Sequence, residues 1–225
     1  MIEIEKINRE EALRYLACNN EKAREDIAPL IDECEKELLS VLSPKFTYRY
    51  FDISFSDKKV YLKDTNIIFE GNDIFSHLDA CRGAYLIAAT LGSGVDRLIR
   101  KLQIENMAKA VVTDALASAA VEEVCALAES EIKSRSESGF FTWRYAPGYG
   151  DFDINIQKDF LSLLDAQKKI GLYTSGDTML LTPIKSVTSV MGVSDTPLPP
   201  KKRGCITCNM KDSCAFRKRG SHCGY

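Results

Sequence analysis

Histidine is nearly missing from this chain, with His77 and His222 its only two examples in 225 residues. They lie far apart in sequence, and His77, within a helical pattern, reads as a polar surface or cap residue. Acid–base chemistry built on imidazole therefore has little material, and no Ser–His–Asp arrangement can be assembled. No apolar run approaches the roughly 18 residues of a membrane span. The start, Met1-Ile-Glu-Ile-Glu-Lys6, has acids where an export signal would carry a basic and then an apolar region. These absences point to a cytoplasmic protein with no membrane contact. Internal repeats and low-complexity tracts are also lacking. Gly92-Ser-Gly94 lacks the third glycine of a dinucleotide fingerprint and the Lys-Ser/Thr of a P-loop, so it reads as a helix-entry turn.

What is present suits one ordinary domain. Apolar residues make up 45% and charged residues 28%. The net charge of −2 is uneven: residues 201–225 carry seven Lys/Arg and one Asp, hence +6, against −8 for the rest. That balance argues against a uniformly basic nucleic-acid binder, although the tail suits an acidic partner.

The chain reads as α+β. Residues 2–7 alternate apolar and acidic like a short strand. Asn8 with Glu11 resembles a cap for a helix over 9–18. A second helix, 21–42, stripes Ala23, Ile27, Leu30, Ile31, Cys34, Leu38 and Leu42, and ends before Pro44. Phe46–Phe55, Val60–Leu62 and Ile67–Phe69 form a three-stranded antiparallel pattern with turns at 56–59 and 63–66. Asn72 or Asp73 opens a helical region through about residue 88. Within it, Ala84–Thr90 is apolar enough to be a buried strand or a buried helix end. Residues 95–134 are helical in two pieces that break near 102–106. The second piece is so rich in alanine that it must pack closely. A loop region over 134–158, a helix from Ile156 to Ile170 stopped by Gly171, and a closing hairpin of strands at Thr178–Leu181 and Ser186–Met191 complete the body. Thr196-Pro-Leu-Pro-Pro200 is a semi-rigid linker.

Two segments carry candidate chemistry. The first is Arg144-Tyr-Ala-Pro-Gly-Tyr149. Pro147-Gly148 is a strong turn signal, and the glycine allows close approach of a ligand to the backbone. Arg144 suits a bidentate grip on a carboxylate, and Tyr149 offers a ring face to a cation. Those are the needs of an amino acid bearing a positive sulfonium. Taken alone, the residues read first as a tight surface turn with a stacked Arg–Tyr pair. The second segment is the tail, with Cys205-x-x-Cys208, Cys214 and Cys223 within nineteen positions. Four thiolates suit tetrahedral zinc or an iron–sulfur cluster, and His222 could replace one. A redox-active dithiol, a zinc knuckle for nucleic acid, or a basic tail with reactive thiols are the alternatives. Cys18, Cys34, Cys81 and Cys125 sit among apolar helical positions and read as small buried hydrophobes.

The first segment resembles the S-adenosylmethionine-binding signature Arg-Pro-Ala-Pro-Gly-Tyr of the activation domain of cobalamin-dependent methionine synthase. Phe160-Leu-Ser-Leu-Leu-Asp165 with Gly171 is similar to that family's Trp-x-Leu-Leu helix and its terminal glycine. Thr178–Thr188 resembles its Met-x-Pro-x-x-Ser-Val-Ser stretch. Thr90-Leu-Gly92 and the Ala-rich helix stand in the matching order. The specific likeness spans about 140–192 and a weaker one about 80–135, with residues 1–75 and the tail outside it.

This resemblance implies a single C-shaped α+β domain with an antiparallel or mixed sheet and flanking helices. Residues 1–75 would be its N-terminal helical and antiparallel portion, 76–195 the activation-domain-like core, and 196–225 the Pro-rich linker and basic Cys-rich tail. Arg144, Ala146, Gly148 and Tyr149 would contact S-adenosylmethionine. The family's acid on the Ala-rich helix aligns with Ser118, with Glu122 one turn on and Asp114 one turn before, so Glu122 is the candidate acid. The family's N-terminal Asp contact and its late Tyr contact have no counterpart.

In the family the domain holds S-adenosylmethionine over the corrin while an electron is supplied, so that methyl transfer traps reduced cobalt. A corrinoid signature of the Asp-x-His-x-x-Gly type is missing from this chain. The resemblance therefore implies cobalamin on a partner: a corrinoid protein, or a methionine synthase lacking its own activation domain, with a separate electron donor. The rival readings are a corrinoid-protein-binding module with weak ligand affinity, and a metal or redox accessory protein acting through the tail.

The tail gives the first prediction. Elemental analysis and a visible spectrum of the purified protein are expected to show about one zinc or one coloured cluster per chain. A colourless, metal-free protein would remove the metal assignment.

Overall fold

The computed structural model describes residues 2, 4–18, 20–136, 139–198 and 215–218. Cys205, Cys208, Cys214, Cys223 and His222 lie outside the described residues. The body is three-layered, with one antiparallel sheet between two sets of helices.

The N-terminal half follows its local signals. α1 (Arg9–Tyr15) is capped by the Asn8 side chain, which accepts from the Glu11 N–H. α2 (Glu21–Val41) is capped in the same way by Asn20. β1 (Lys45–Ser56), β2 (Lys59–Leu62) and β3 (Ile68–Phe69) form the expected meander. Asp57 and Lys58 both have positive φ at its two-residue turn, which matches the twist of the flanking strands. Among its described residues, 2 and 4–7, the expected strand does not form. Ile7 is buried and donates its N–H to Glu35 of α2, while Ile2 and Ile4 pack on the helical core. The alternation there serves to anchor an extended lead-in.

The helical region expected through residue 88 is corrected. α3 (Asn72–Leu78) is short, and β4 (Gly83–Thr90) is a strand. β4 pairs with β1 on one side and with β8 (Ser186–Ser194) on the other. It is apolar throughout because both of its faces are covered. Ala84, Leu86 and Ala88 face α3, α6 (Gln157–Leu164) and α7 (Ala166–Ile170), whereas Ile87 and Ala89 face the other helices. The sheet order is β3-β2-β1-β4-β8-β5, with β5 (Phe140–Phe141) at the edge. A second ribbon joins β6 (Tyr173–Ser175) to β7 (Leu180–Thr182). The two final strands expected as a hairpin thus separate: β7 pairs with β6, which sequence reading missed, and β8 enters the main sheet. The expected single helix 156–170 breaks at Asp165, whose φ is +53°, and ends at Gly171 with φ +72°.

α4 (Ser93–Glu105) and α5 (Met107–Arg135) are the two expected pieces, divided at Asn106. α5 packs against α1, α2, α4, β4 and β1. Its alanines at 110, 115, 117, 119, 120 and 128 are buried, which lets those elements approach one helix closely. Cys34, Cys81 and Cys125 are buried as expected, and Cys18 is half-buried. No helix among the described residues is long and apolar enough to cross a membrane.

Ala120 is fully buried in the α1–α2–α4–α5 core. Ala120→Leu should cost about 1–3 kcal/mol through overpacking. The exposed Ala126→Leu should change stability by less than about 0.5 kcal/mol. Chemical denaturation of both variants checks the contrast, and equal stabilities would contradict the packing around α5.

Candidate functional site

The segment after β5 runs along the sheet edge. Tyr145 and Val190 of β8 exchange two backbone hydrogen bonds of 2.8 Å. This fixes the residue on either side of Tyr145. Arg144 turns toward α5, where its Nη2 donates to Glu122 Oε2 at 3.0 Å and its Nε to Glu129 Oε2 at 3.3 Å. Arg144 and Glu122, 22 positions apart in sequence, are thus brought together. The Arg144 side chain is 21% exposed, that of Glu122 41% and that of Glu129 24%. Burial works against the guanidinium charge, but Cys125, Glu122 and Glu129 outweigh it and raise the Arg144 pKa. Cys125 lies between the two acids on α5, fully buried, and burial pushes its thiol up to about 12. At neutral pH it is an uncharged floor to the cluster.

The turn follows at once. The Tyr149 N–H donates to Ala146 O at 3.2 Å across Pro147-Gly148, and Gly148 has φ +89°, the pattern of a type II turn. A second link, from the Gly148 N–H to Phe152 O at 2.8 Å, closes the loop. Tyr149 is 68% exposed. Ala146, Gly148 and Tyr149 therefore occupy one rigid turn directly after the Arg144 ion pair.

A third restraint comes from α3. Its N-cap, Gly71, has no side chain to cap with. Asp151 takes that part, accepting from the N–H groups of Asn72 at 2.7 Å and Asp73 at 2.9 Å, while Asp73 accepts from the Asp151 N–H at 3.3 Å. A Cβ on Gly71 would stand 2.7 Å from Asp151 Oδ1, so the bare backbone is what admits the carboxylate. Slight burial pushes the Asp151 carboxyl up, but the hydrogen bonds from Asp73 and Asn72 hold it below the usual carboxylate range.

His77, expected at the surface or at a cap, is 3% exposed. Its Nε2 lies 2.9 Å from Trp143 O, and its ring meets Trp143 edge-on and Tyr145 at a tilt. It braces the strand that carries Arg144. Its position three residues after the core residue Ile74 was the signal that it faces inward.

At the position aligned with the family's acid, Ser118 Oγ accepts from Lys185 Nζ at 2.9 Å, and Lys185 also pairs with Asp114 at 2.8 Å. A cation thus sits where the resemblance implies an acid. Lys185 and Glu129 were missed by sequence reading, since only the β8 and edge-strand register brings Lys185 and Arg144 to α5. A separate apolar pocket of about 360 Å³, lined by Leu16, Cys18, Ile27, Leu30, Met107 and Val111, holds none of these groups. Among the described residues no cluster of three or more His, Cys, Asp or Glu side chains is placed to hold a metal.

An antiparallel sheet with helices on both faces defines the chain as a mixed α+β protein. No protein-family profile and no curated protein sequence matches it. Among solved structures it is similar to the crystal structure of the MetH reactivation domain bound to AdoHcy, at 14% identity and a TM-score of 0.55, over 96% of this chain and 75% of that one. The likeness is one of fold.

The Asp151 cap has a pH signature. Asp151→Ala should cost about 1 kcal/mol at neutral pH, as for loss of a helix cap. Because the folded carboxyl titrates below its unfolded value of about 3.9, its contribution is complete above that value and is lost as pH falls through the lowered folded value. Denaturation of wild type and variant from about pH 6 to pH 2 should show the gap closing only in acid. A gap independent of pH would contradict the charged cap.

Proposed function

We propose that the chain binds S-adenosylmethionine at Arg144, Ala146, Gly148, Tyr149 and Glu122, and that it serves as a reactivation component for a corrinoid protein. The observation that carries this reading is the 3.0 Å pair of Arg144 with Glu122, directly before a turn whose glycine has positive φ. A zwitterionic amino acid with a sulfonium needs a cation, an acid and an aromatic face together. Glu122, the more exposed of the two acids on Arg144, is the one open to a cationic group of a ligand. The fold likeness to a domain bound to AdoHcy, the demethylated product of S-adenosylmethionine, supports the same assignment.

The protein's part in such a reaction is positioning the methyl donor, which is worth several orders of magnitude when reactants must meet in near-attack geometry. Cobalamin would ride on the partner, either a corrinoid protein or a methionine synthase lacking its own activation domain. A separate donor, or the Cys205–Cys223 tail, would supply the electron. One observation favours a second reading: Lys185 at Ser118 opposes a positive centre there, which suits a corrinoid-protein-binding module of low ligand affinity.

Titration calorimetry with S-adenosylmethionine tests the reading. Wild type should bind, and Arg144→Ala should bind about 10- to 100-fold more weakly, as for loss of a charge-assisted contact. Equal binding by both, or binding by neither, overturns the site. Remethylation of a Co(II)-corrinoid protein with and without this chain tests the role, and no stimulation would refute it.

A further inference from the structure

We infer that Glu129 is a positioning residue, which turns the Arg144 guanidinium so that its free edge faces the ligand's carboxylate; this rests on the ligand site proposed above. A guanidinium offers five N–H groups in one plane. Nε is committed to Glu129 and one Nη2 hydrogen to Glu122. Among the described residues Nη1 has no hydrogen-bond partner. The edge formed by Nη1 and the second Nη2 hydrogen is therefore the fork left for a planar anion.

The two acids are not equivalent. They stand seven residues apart, two turns of α5, and accept from neighbouring nitrogens of the guanidinium, Nη2 for Glu122 and Nε for Glu129. Glu122 makes one charged contact and is 41% exposed. Glu129 is 24% exposed and is itself held by Lys133 Nζ at 2.6 Å, so it is fixed between two cations. Glu122 is the acid placed to exchange partners with a ligand ammonium. Glu129 is the one placed to keep Nε still while that happens. Without Glu129, the guanidinium is free to swing its Nε–Nη2 edge wholly onto Glu122, which takes the open fork out of line.

The test uses two probes that differ only in a carboxylate, S-adenosylmethionine and decarboxylated S-adenosylmethionine. Both are titrated into the full chain as wild type, Glu129→Ala and Glu129→Gln, with melting temperatures recorded in parallel. Wild type should prefer S-adenosylmethionine by roughly 10-fold, the worth of one charge-assisted contact. Glu129→Ala should bring that preference close to one. Glu129→Gln keeps an acceptor for Nε and should retain most of it. A general loss of structure would weaken both probes together and leave the ratio unchanged.

If Glu129→Ala binds with the wild-type preference, or if Glu129→Gln fails exactly as Glu129→Ala does, the positioning role is overturned and the proposed ligand site stands. If wild type binds neither probe, the site itself falls, and the role of Glu129 with it.

Discussion

The burial of α5 constrains everything else. A helix from Met107 to Arg135 is covered by the sheet on one side and by α1, α2 and α4 on others. Elements close around this one helix because alanine occupies position after position between the buried Leu116, Val124 and Ile132, and even Thr113 is fully buried. An enlarged residue anywhere on those faces would push a whole element away. The strip of α5 left open carries Asp114, Ser118, Glu122, Glu129 and Lys133, and it is this strip that Lys185 and Arg144 reach. The packing that builds the core thereby decides where acidic groups can meet ligands.

Against that rigid wall stands a loop held by three independent restraints. The Tyr145–Val190 pairing fixes its start, the turn at Ala146–Tyr149 fixes its middle, and the Asp151 cap on α3 fixes its end. His77 braces the same strand from the opposite layer through Trp143 and Tyr145. The Arg144 cluster gains little net stability, because the desolvation of a side chain only 21% exposed offsets its pairing with two carboxylates. It is a good device for orientation, because a mostly buried guanidinium that loses an acid has little water to replace it. Directional restraint at modest energetic gain is what a binding loop needs.

Where the sequence was legible, the signals were local. The cap at Asn8, the turn around Asp57-Lys58, the break at Asn106 and the stop at Gly171 each depend on residues within four positions. The Pro147-Gly148 turn belongs with them, which is why Arg144 and Tyr149 could be singled out. What was illegible depends on partners far away. β4 is apolar on both faces because helices cover both, and no periodicity separates that from a buried helix. The alternation at residues 2–7 imitates a strand, but its Ile7 N–H goes to a carboxylate of α2. β8 reads as half of a hairpin until β4 claims it. Glu129 and Lys185 carry no motif of their own and become candidates only once the edge strand is in register with α5.

The charge presented along the open strip of α5 changes sign from one helical turn to the next. The resemblance implies an acid at position 118, and here an uncharged Ser118 receives the amine of Lys185. Negative charge is instead concentrated further along the same face, at Glu122 and Glu129, one and three turns away. One helical turn advances about 5.4 Å, close to the distance between the ammonium and the sulfonium-bearing end of a small amino acid chain. On the proposed reading, a positive centre of the ligand would be favoured beside Glu122 and opposed beside Lys185. The open strip of α5 thereby sets which charge the proposed ligand would meet at each step along the helix.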